Sequence, residues 1–334
     1  MKRLIFLLLF TSLMLAACGA PAAPSGPMPV YDTGVDSNAW VTVPAGPYYE
    51  GLNQHLLDLD YDYDIMVTDV TNEQFAQFLN DAIADGTLTV KDGAIYGNYG
   101  GDEFNGGRHE VEIEPGLKML FPIPGGELDI DGMARLVYQD GVFSAKEGYA
   151  NHPVTMVTWF GADAYCRYYG GRLPLETEWE KAARGLKDPR PFPWGNEDPA
   201  HNQANYYASK DPFEQWTGQR QGDTTPVGFY NGKTYPDGYA TLDQASPFGL
   251  YDMSGNVWQW TGAVYKYTHQ RYMRGGSKEN YDYNIRVWSR DSAPPDYYGI
   301  AVGFRCVKSD YEPSFPIEIT PYSFYDLEDQ GPQR

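Results

Sequence analysis

The sequence predicts an irregular α/β fold of the α+β kind, with little regular secondary structure, and three observations carry that expectation. The 334 residues include 36 glycines and 25 prolines, a composition that favours turns and short elements over long helices. Hydrophobic residues make up 42% and aromatic residues 15%, which is the composition of a chain with a packed core rather than a disordered one. Helical periodicity is confined to three stretches, and beyond Gly185 the chain is a series of aromatic–glycine segments such as FPWG, PVGFY and FGLYDMSGNVWQW.

The elements follow in chain order. MKRLIFLLLFTSLMLAACGA has Lys2 and Arg3, an apolar run from Leu4 to Leu15, and then Ala16, Ala17 and Cys18. The run is too short for a comfortable span and reads as a signal-peptide core, residues 1–17. Small residues followed by cysteine resemble a bacterial lipobox. Cys18 is then the lipid-modified first residue of an exported chain, anchored to the cell envelope at the outer membrane or the cell surface. Residues 18–38, which include GAPAAPSGPMP, read as a flexible tether. The formal net charge is −20, and loss of Lys2 and Arg3 with the leader takes it to −22. Such acidity argues against nucleic acid and against docking on anionic lipid, and suits cationic partners or bound Ca²⁺.

A domain is expected over residues 39–310. WVTVPAGPYYEG (Trp40 to Gly51) alternates into a strand and hairpin. Ile65, Val67 and Val70 suit a strand, after which Thr71 caps a helix with Phe75, Phe78 and Leu79 on one face and Gly86 at its end. Residues 87–150 read as an insertion of short hairpins, because they lack enough apolar sequence for a core of their own. Asp129, Asp131 and Gly132 within it do not have EF-hand spacing. A second helix runs from about Phe160 to Tyr169, with Ala162, Tyr165, Cys166 and Tyr169 on one face. A third starts near Leu175; Glu176, Glu178 and Glu180 favour its N-terminal end, and Lys181 and Arg184 its C-terminal end, as capping and solvent-exposed charges. Residues 311–334 form a tail that either wraps the surface or binds a partner.

Three cysteines are present. With Cys18 lipidated, Cys166 and Cys306 most simply form one disulfide, two buried free thiols being the alternative. The five histidines (His55, His109, His152, His201, His269) show no close helical pairing, and there is no P-loop, dinucleotide fingerprint or nucleophile elbow.

Taken in order, VPAG, VTNEQFAQFL, HPVTMVTWFGADAYCRYYGGRLPLETEWEKAARG, FPWG, PVGFY, FGLYDMSGNVWQW, RGGS and GFRC resemble the formylglycine-generating enzyme (sulfatase-modifying factor) family, from about Trp40 to Lys308. The resemblance implies a single irregular α/β domain related to C-type lectin folds. It implies the Cys166–Cys306 pairing. It implies two structural Ca²⁺ sites, one from Asp252, Gly255, Val257 and Gln259, the other from Asn205, Tyr206, Asp211 and Phe213. Gln259 replaces a common glutamate, which removes one charge.

The family's aerobic enzyme holds Cu(I) through two cysteines a few residues beyond RGGS, where this chain has Asn280 and Ile285. Cu(I) is soft and selects thiolates, so no copper and no formylglycine chemistry are expected. Trp258 and Ser277 survive from the pocket. In its place lies an aromatic-rich segment whose Ser277, Asn280, Tyr281, Tyr283, Trp288, Arg290, Tyr297 and Tyr298 form a candidate binding surface for a protein, peptide or glycan ligand. The expected function is non-catalytic binding or envelope assembly; the alternative is an oxidoreductase or protein-modifying enzyme using the remodelled pocket.

Lipid anchoring makes a direct prediction. Several acyl chains at roughly 0.8 kcal/mol per buried CH₂ give stable attachment, so Cys18→Ser releases the chain into the soluble fraction or leaves it unprocessed. Fractionation and mass measurement of the N-terminus check this, and equal membrane retention of the variant removes the assignment.

Overall fold

A computed structural model describes residues 26–102, 113–129, 132–265, 269–311 and 313. The leader, Cys18 and nearly all of the C-terminal tail lie outside the described residues. Strands β1 (Trp40–Val43), β2 (Gly46–Glu50), β3 (His55–Leu59) and β4 (Tyr63–Met66) precede helix α1 (Asn72–Ala84). Strands β5 (Leu88–Lys91), β6 (Ala94–Tyr99), β7 (Gly116–Pro122), β8 (Leu136–Gln139) and β9 (Val142–Ala145) follow. Helices α2 (Trp159–Tyr168), α3 (Glu176–Arg184) and α4 (Pro212–Thr217) lead to β10 (Trp258–Tyr265), β11 (Gln270–Arg274), β12 (Arg290–Ala293), β13 (Val302–Gly303) and β14 (Val307–Lys308). Few helices and many short strands make the irregular α/β architecture that the composition predicts.

Two small sheets organise the centre. One has the order β12-β11-β10-β13, and β13 runs parallel to β10; the other has the order β1-β4-β14. α1 begins as expected. Thr71 Oγ1 accepts from Gln74 N at 3.2 Å and Gln74 Oε1 accepts from Thr71 N at 2.9 Å, a reciprocal cap. Its apolar face, Phe75, Phe78 and Leu79, packs in one core with Trp159, Phe160 and Tyr165 of α2, Trp258 and Trp260 of β10, and Phe304. Gly161 lets α2 approach β7, since a Cβ there would lie 2.4 Å from the Leu120 carbonyl oxygen.

The inserted strands β5-β6-β7 and β8-β9 have no separate core. Leu88, Ile95, Leu120, Phe121, Leu136 and Phe143 are buried in the same cluster as α1 and α2. A second core gathers Tyr63, Ile65, Trp179, Ala182 and Ala183 with Leu250, Met253 and Val287.

Two expectations are corrected. The 18–38 tether is too long as read. Tyr31 and Thr33 are buried, Tyr31 packs with Phe213, Phe229 and Tyr235, and its hydroxyl donates to Asp237 Oδ2 at 2.6 Å. The acidic residues of α3 cap the helix but are not solvated. Glu178 Oε2 accepts from Leu175 N at 2.8 Å, and both its oxygens take Arg172 at 2.7 Å. Glu180 pairs with Arg184 and Arg274, all three buried, and buried Glu176 pairs with the half-buried Arg290. Once buried, those charges need partners, and arginines supply them, Arg172 and Arg184 from nearby in the chain and Arg274 and Arg290 from far along it.

Cys166 of α2 and Cys306, next to β14, are joined by a disulfide with Cα atoms 5.5 Å apart and a sequence separation of 140. The link closes a long loop, so the Cys166→Ala/Cys306→Ala variant loses about 3–5 kcal/mol of stability. Urea unfolding of the two proteins measures it; equal midpoints at equal slope contradict it.

Candidate functional site

The segment after β11 builds the candidate site. Gly275 and Gly276 both have positive φ, at 94° and 69°, and a Cβ on Gly276 would lie 2.7 Å from Ile285 Cγ2. This close approach fixes the loop that follows. Ser277 Oγ and Ser277 N both donate to Asn280 Oδ1, at 2.7 and 3.0 Å, and Asn280 N returns a bond to Ser277 O at 3.0 Å. Asn280 is therefore the lock of a tight turn. Ile285 ends a 3₁₀ turn (Asp282–Ile285) and is fully buried with Phe192, Ala204 and Tyr206. The two positions that would carry thiolates hold a hydrogen-bonded amide and a packed aliphatic side chain. Trp258 is buried in the main core, as a framework residue.

The candidate surface divides. Tyr281, Tyr283 and Tyr297 are exposed at 54, 54 and 46%. The Tyr281 and Tyr283 rings lie 13° from parallel with centroids 6.0 Å apart, and Tyr207 meets Tyr281 edge-on at 5.0 Å. The others are structural. Ser277 is buried in its turn; Trp288 packs against the second core beneath the Arg184 guanidinium at 5.2 Å. Arg290 reaches Glu176 at 3.3 Å and lies 5.4 Å over Tyr272, and the Tyr298 hydroxyl donates to Leu128 O at 3.0 Å. Tyr207 escaped the sequence reading. Its signal is the adjacent Tyr206-Tyr207 pair, of which only Tyr206 was assigned a role, and Tyr207 N donates to Asn280 O at 2.8 Å, which seats it beside the turn.

In the first calcium set the Gln259 amide is fully engaged by the protein. Gln259 Oε1 accepts from Trp179 Nε1 at 2.7 Å and from Arg305 Nε at 2.8 Å. Both partners are obligate donors, so the amide orientation is fixed. Nε2 then points at Asp252 O, to which it donates at 2.6 Å. Gln259 has no oxygen left for a metal. The Asp252 carboxylate accepts from Gly228 N at 2.7 Å and Gln244 Nε2 at 3.2 Å, and burial pushes it up to about 6. Gly255 is held against Asn205, where a Cβ would lie 2.3 Å from its carbonyl oxygen, and Val257 is fully buried.

In the other set, Asp211 caps α4. Oδ1 accepts from Phe213 N and Glu214 N at 2.7 and 3.0 Å, and Oδ2 from the Ser209 hydroxyl at 2.6 Å. Asn205 Nδ2 donates to Asp223 O at 2.9 Å, Asn205 O accepts from Asn256 N at 2.8 Å, and Tyr206 O accepts from Ser209 N at 3.0 Å. Phe213 contributes a buried ring to the third apolar cluster. In this structure Asp211 serves as a helix cap and Asn205 as a turn residue.

The histidines hold no iron-type pair among the described residues: His152 is buried, held neutral by burial that pushes it down to about 3, and sits 2.9 Å from Thr224 Oγ1, while His269 is paired with Asp102 at 2.9 Å.

Gln259 therefore gives a metal test. Melting of the native protein is unchanged by EDTA or by added CaCl₂. Gln259→Glu sets a carboxylate oxygen against the Asp252 carbonyl and costs about 1–3 kcal/mol in EDTA, which millimolar calcium partly restores. A calcium-dependent melting shift of the native chain contradicts the assignment.

Comparison with known proteins agrees with this framework. The chain is 28% identical to the mouse (Mus musculus) formylglycine-generating enzyme over 325 residues, 88% of this chain and 80% of that protein. It is 31% identical to the Streptomyces coelicolor formylglycine-generating enzyme over 262 residues, 72% of this chain and 76% of that one. A mouse protein named inactive C-alpha-formylglycine-generating enzyme 2 is 36% identical over 171 residues, 48% of this chain and half of that protein's length. The solved structure of PvdO from Pseudomonas aeruginosa superposes with a TM-score of 0.49 at 20% identity, covering 81% of this chain and 94% of that one. Residues 30–310 match the sulfatase-modifying factor enzyme 1-like domain, and the chain belongs to that family.

Proposed function

We propose that this chain is a non-catalytic member of the family. In this reading it is exported, held to the bacterial envelope by lipid at Cys18, and presents its tyrosine face to a protein, peptide or glycan partner. The observation that carries the non-catalytic part is the state of Asn280 and Ile285. Cu(I) needs soft thiolate ligands and oxidation of a substrate cysteine needs a reactive thiolate. Asn280 spends its acceptor on Ser277, Ile285 is sealed among Phe192, Ala204 and Tyr206, and Cys166 and Cys306 are joined to each other. The similarity to a relative named inactive points the same way.

The binding part is supported by two exposed rings, Tyr281 and Tyr283, clustered with Tyr207 beside the Ser277–Asn280 turn, and by the separately exposed Tyr297. Large aromatic side chains held rigid at a surface are the residues on which interfaces concentrate binding energy.

The test incubates purified protein with Cu(I), O₂ and a sulfatase-type cysteine peptide, with aldehyde measured by mass spectrometry. No product above a copper-only control is expected, and Asn280→Cys/Ile285→Cys remains inactive because position 285 points into an apolar cluster. Turnover by the native chain overturns the non-catalytic reading.

A further inference from the structure

A cavity of about 740 Å³ lies between the C-terminal end of α1, the outer side of α2 and the inserted strand β6. It is remote in composition from the tyrosine face, sharing no residue with it, and one of its walls belongs to the insertion. Its volume is in the range of small-molecule sites.

The lining combines aromatic faces with a few polar groups. Tyr99, Phe160 and Tyr168 supply rings; the Tyr168 hydroxyl donates to Asp85 Oδ2 at 2.8 Å and that of Tyr99 to Asp102 Oδ1 at 2.5 Å, so both rings are fixed. Asp163 of α2 is only 5% exposed. Its Oδ2 accepts from Arg167 Nε at 2.8 Å, and the residue lines the cavity. Burial pushes the Asp163 carboxyl upward, against the pull of Arg167. Gly100 adds bare backbone: its φ is not positive, and a Cβ there would meet nothing within 4 Å, so neither strain nor crowding accounts for a glycine.

The chemistry of a ligand follows from this balance. Asp163 and Arg167 already neutralise each other, so an ionic ligand gains little from either. Acceptor and donor stand one helical turn apart, and the exposed amide of Asn98 offers both. Adjacent hydroxyl groups, each donor and acceptor, match that alternation, and the C–H face of a sugar ring matches the aromatic walls. We propose that this cavity is a saccharide-binding site for a small neutral oligosaccharide, anchored on Asp163 and Arg167 and stacked on the aromatic wall. This goes beyond the tyrosine face and does not depend on it.

The test is saturation-transfer NMR on the full mature chain with maltose, cellobiose and N,N′-diacetylchitobiose, and tyramine as a cationic aromatic control. Transfer to the ring protons of at least one disaccharide is expected. Asp163→Asn weakens it by about tenfold or more, the scale of a charge-assisted hydrogen bond. Asn98→Ala, at an exposed position that the fold does not need, also weakens it while melting stays unchanged. No transfer to any disaccharide, transfer to tyramine alone, or transfer that survives both variants overturns the proposal.

Discussion

The buried guanidinium of Arg305 is the constraint on which the centre of the molecule depends. Its Nε donates to Gln259 Oε1, Nη1 to Met66 O and Val67 O, and Nη2 to Asp69 Oδ1 and Tyr251 O, at distances from 2.7 to 3.2 Å. All five N–H groups of the fork are used. Through them, β4, β10, the loop before Asp252 and the approach to β14 are held at one point with no water between. A buried charge is tolerable only when paired and hydrogen-bonded, and one removed partner leaves the rest exposed to that cost. The irregular chain here cannot rely on long ladders of backbone bonds, so one saturated side chain takes over their positioning role. It also supplies a positive charge beside Asp69 and Asp252, in the region where the family resemblance implies a divalent ion.

The same economy explains the remodelled pocket. The chain meets the double glycine after β11 with a short turn, and the turn's polar groups are satisfied within it by Ser277 and Asn280. Ile285 fills the space beneath Gly276. A site that must bind a reactive metal keeps unsatisfied ligands poised for it; a turn closed by its own hydrogen bonds, with its apolar side chain buried, is built for rigidity. What remains open is on the outside, where Tyr281, Tyr283 and Tyr297 stand exposed on that rigid base.

Much of the fold was legible because its signals are local. Thr71 with Gln74, the Phe75–Phe78–Leu79 stripe, the α2 face and the glycines after it mark helix ends and buried faces within a few residues. α4 was not, because six residues starting with proline carry no periodicity; only the Asp211 cap announces it. The depth of the tether depends on Tyr31 reaching Asp237, 206 residues away. The acidic residues of α3 look solvated until Arg274 and Arg290 arrive from β11 and β12. For the site, the loss of both thiols was readable letter by letter. Which aromatics face outward was not, since Trp288 and Tyr298 differ from Tyr281 and Tyr283 only in what distant segments pack on them. The contacts of Gln259 were hidden for the same reason: a glutamine in place of a glutamate looks like a weakened ligand, and nothing local says that Trp179 and Arg305 have claimed its oxygen.

Helix α2 shows how an insertion adds a surface without disturbing such a framework. One side of this helix carries Trp159, Ala162, Tyr165 and Cys166 into the core and the disulfide, and therefore cannot move or change size freely. The other side carries Asp163 and Arg167, which line the cavity. The inserted strands bury their apolar residues against α1 and α2, so β6 is fixed by the existing core, while its Gly97–Gly101 run passes across the polar side of α2 without filling the gap. A cavity with one wall from the rigid framework and one from the insertion gains preorganised polar groups, because Phe160, shared between core and cavity, fixes the helix that carries Asp163 and Arg167.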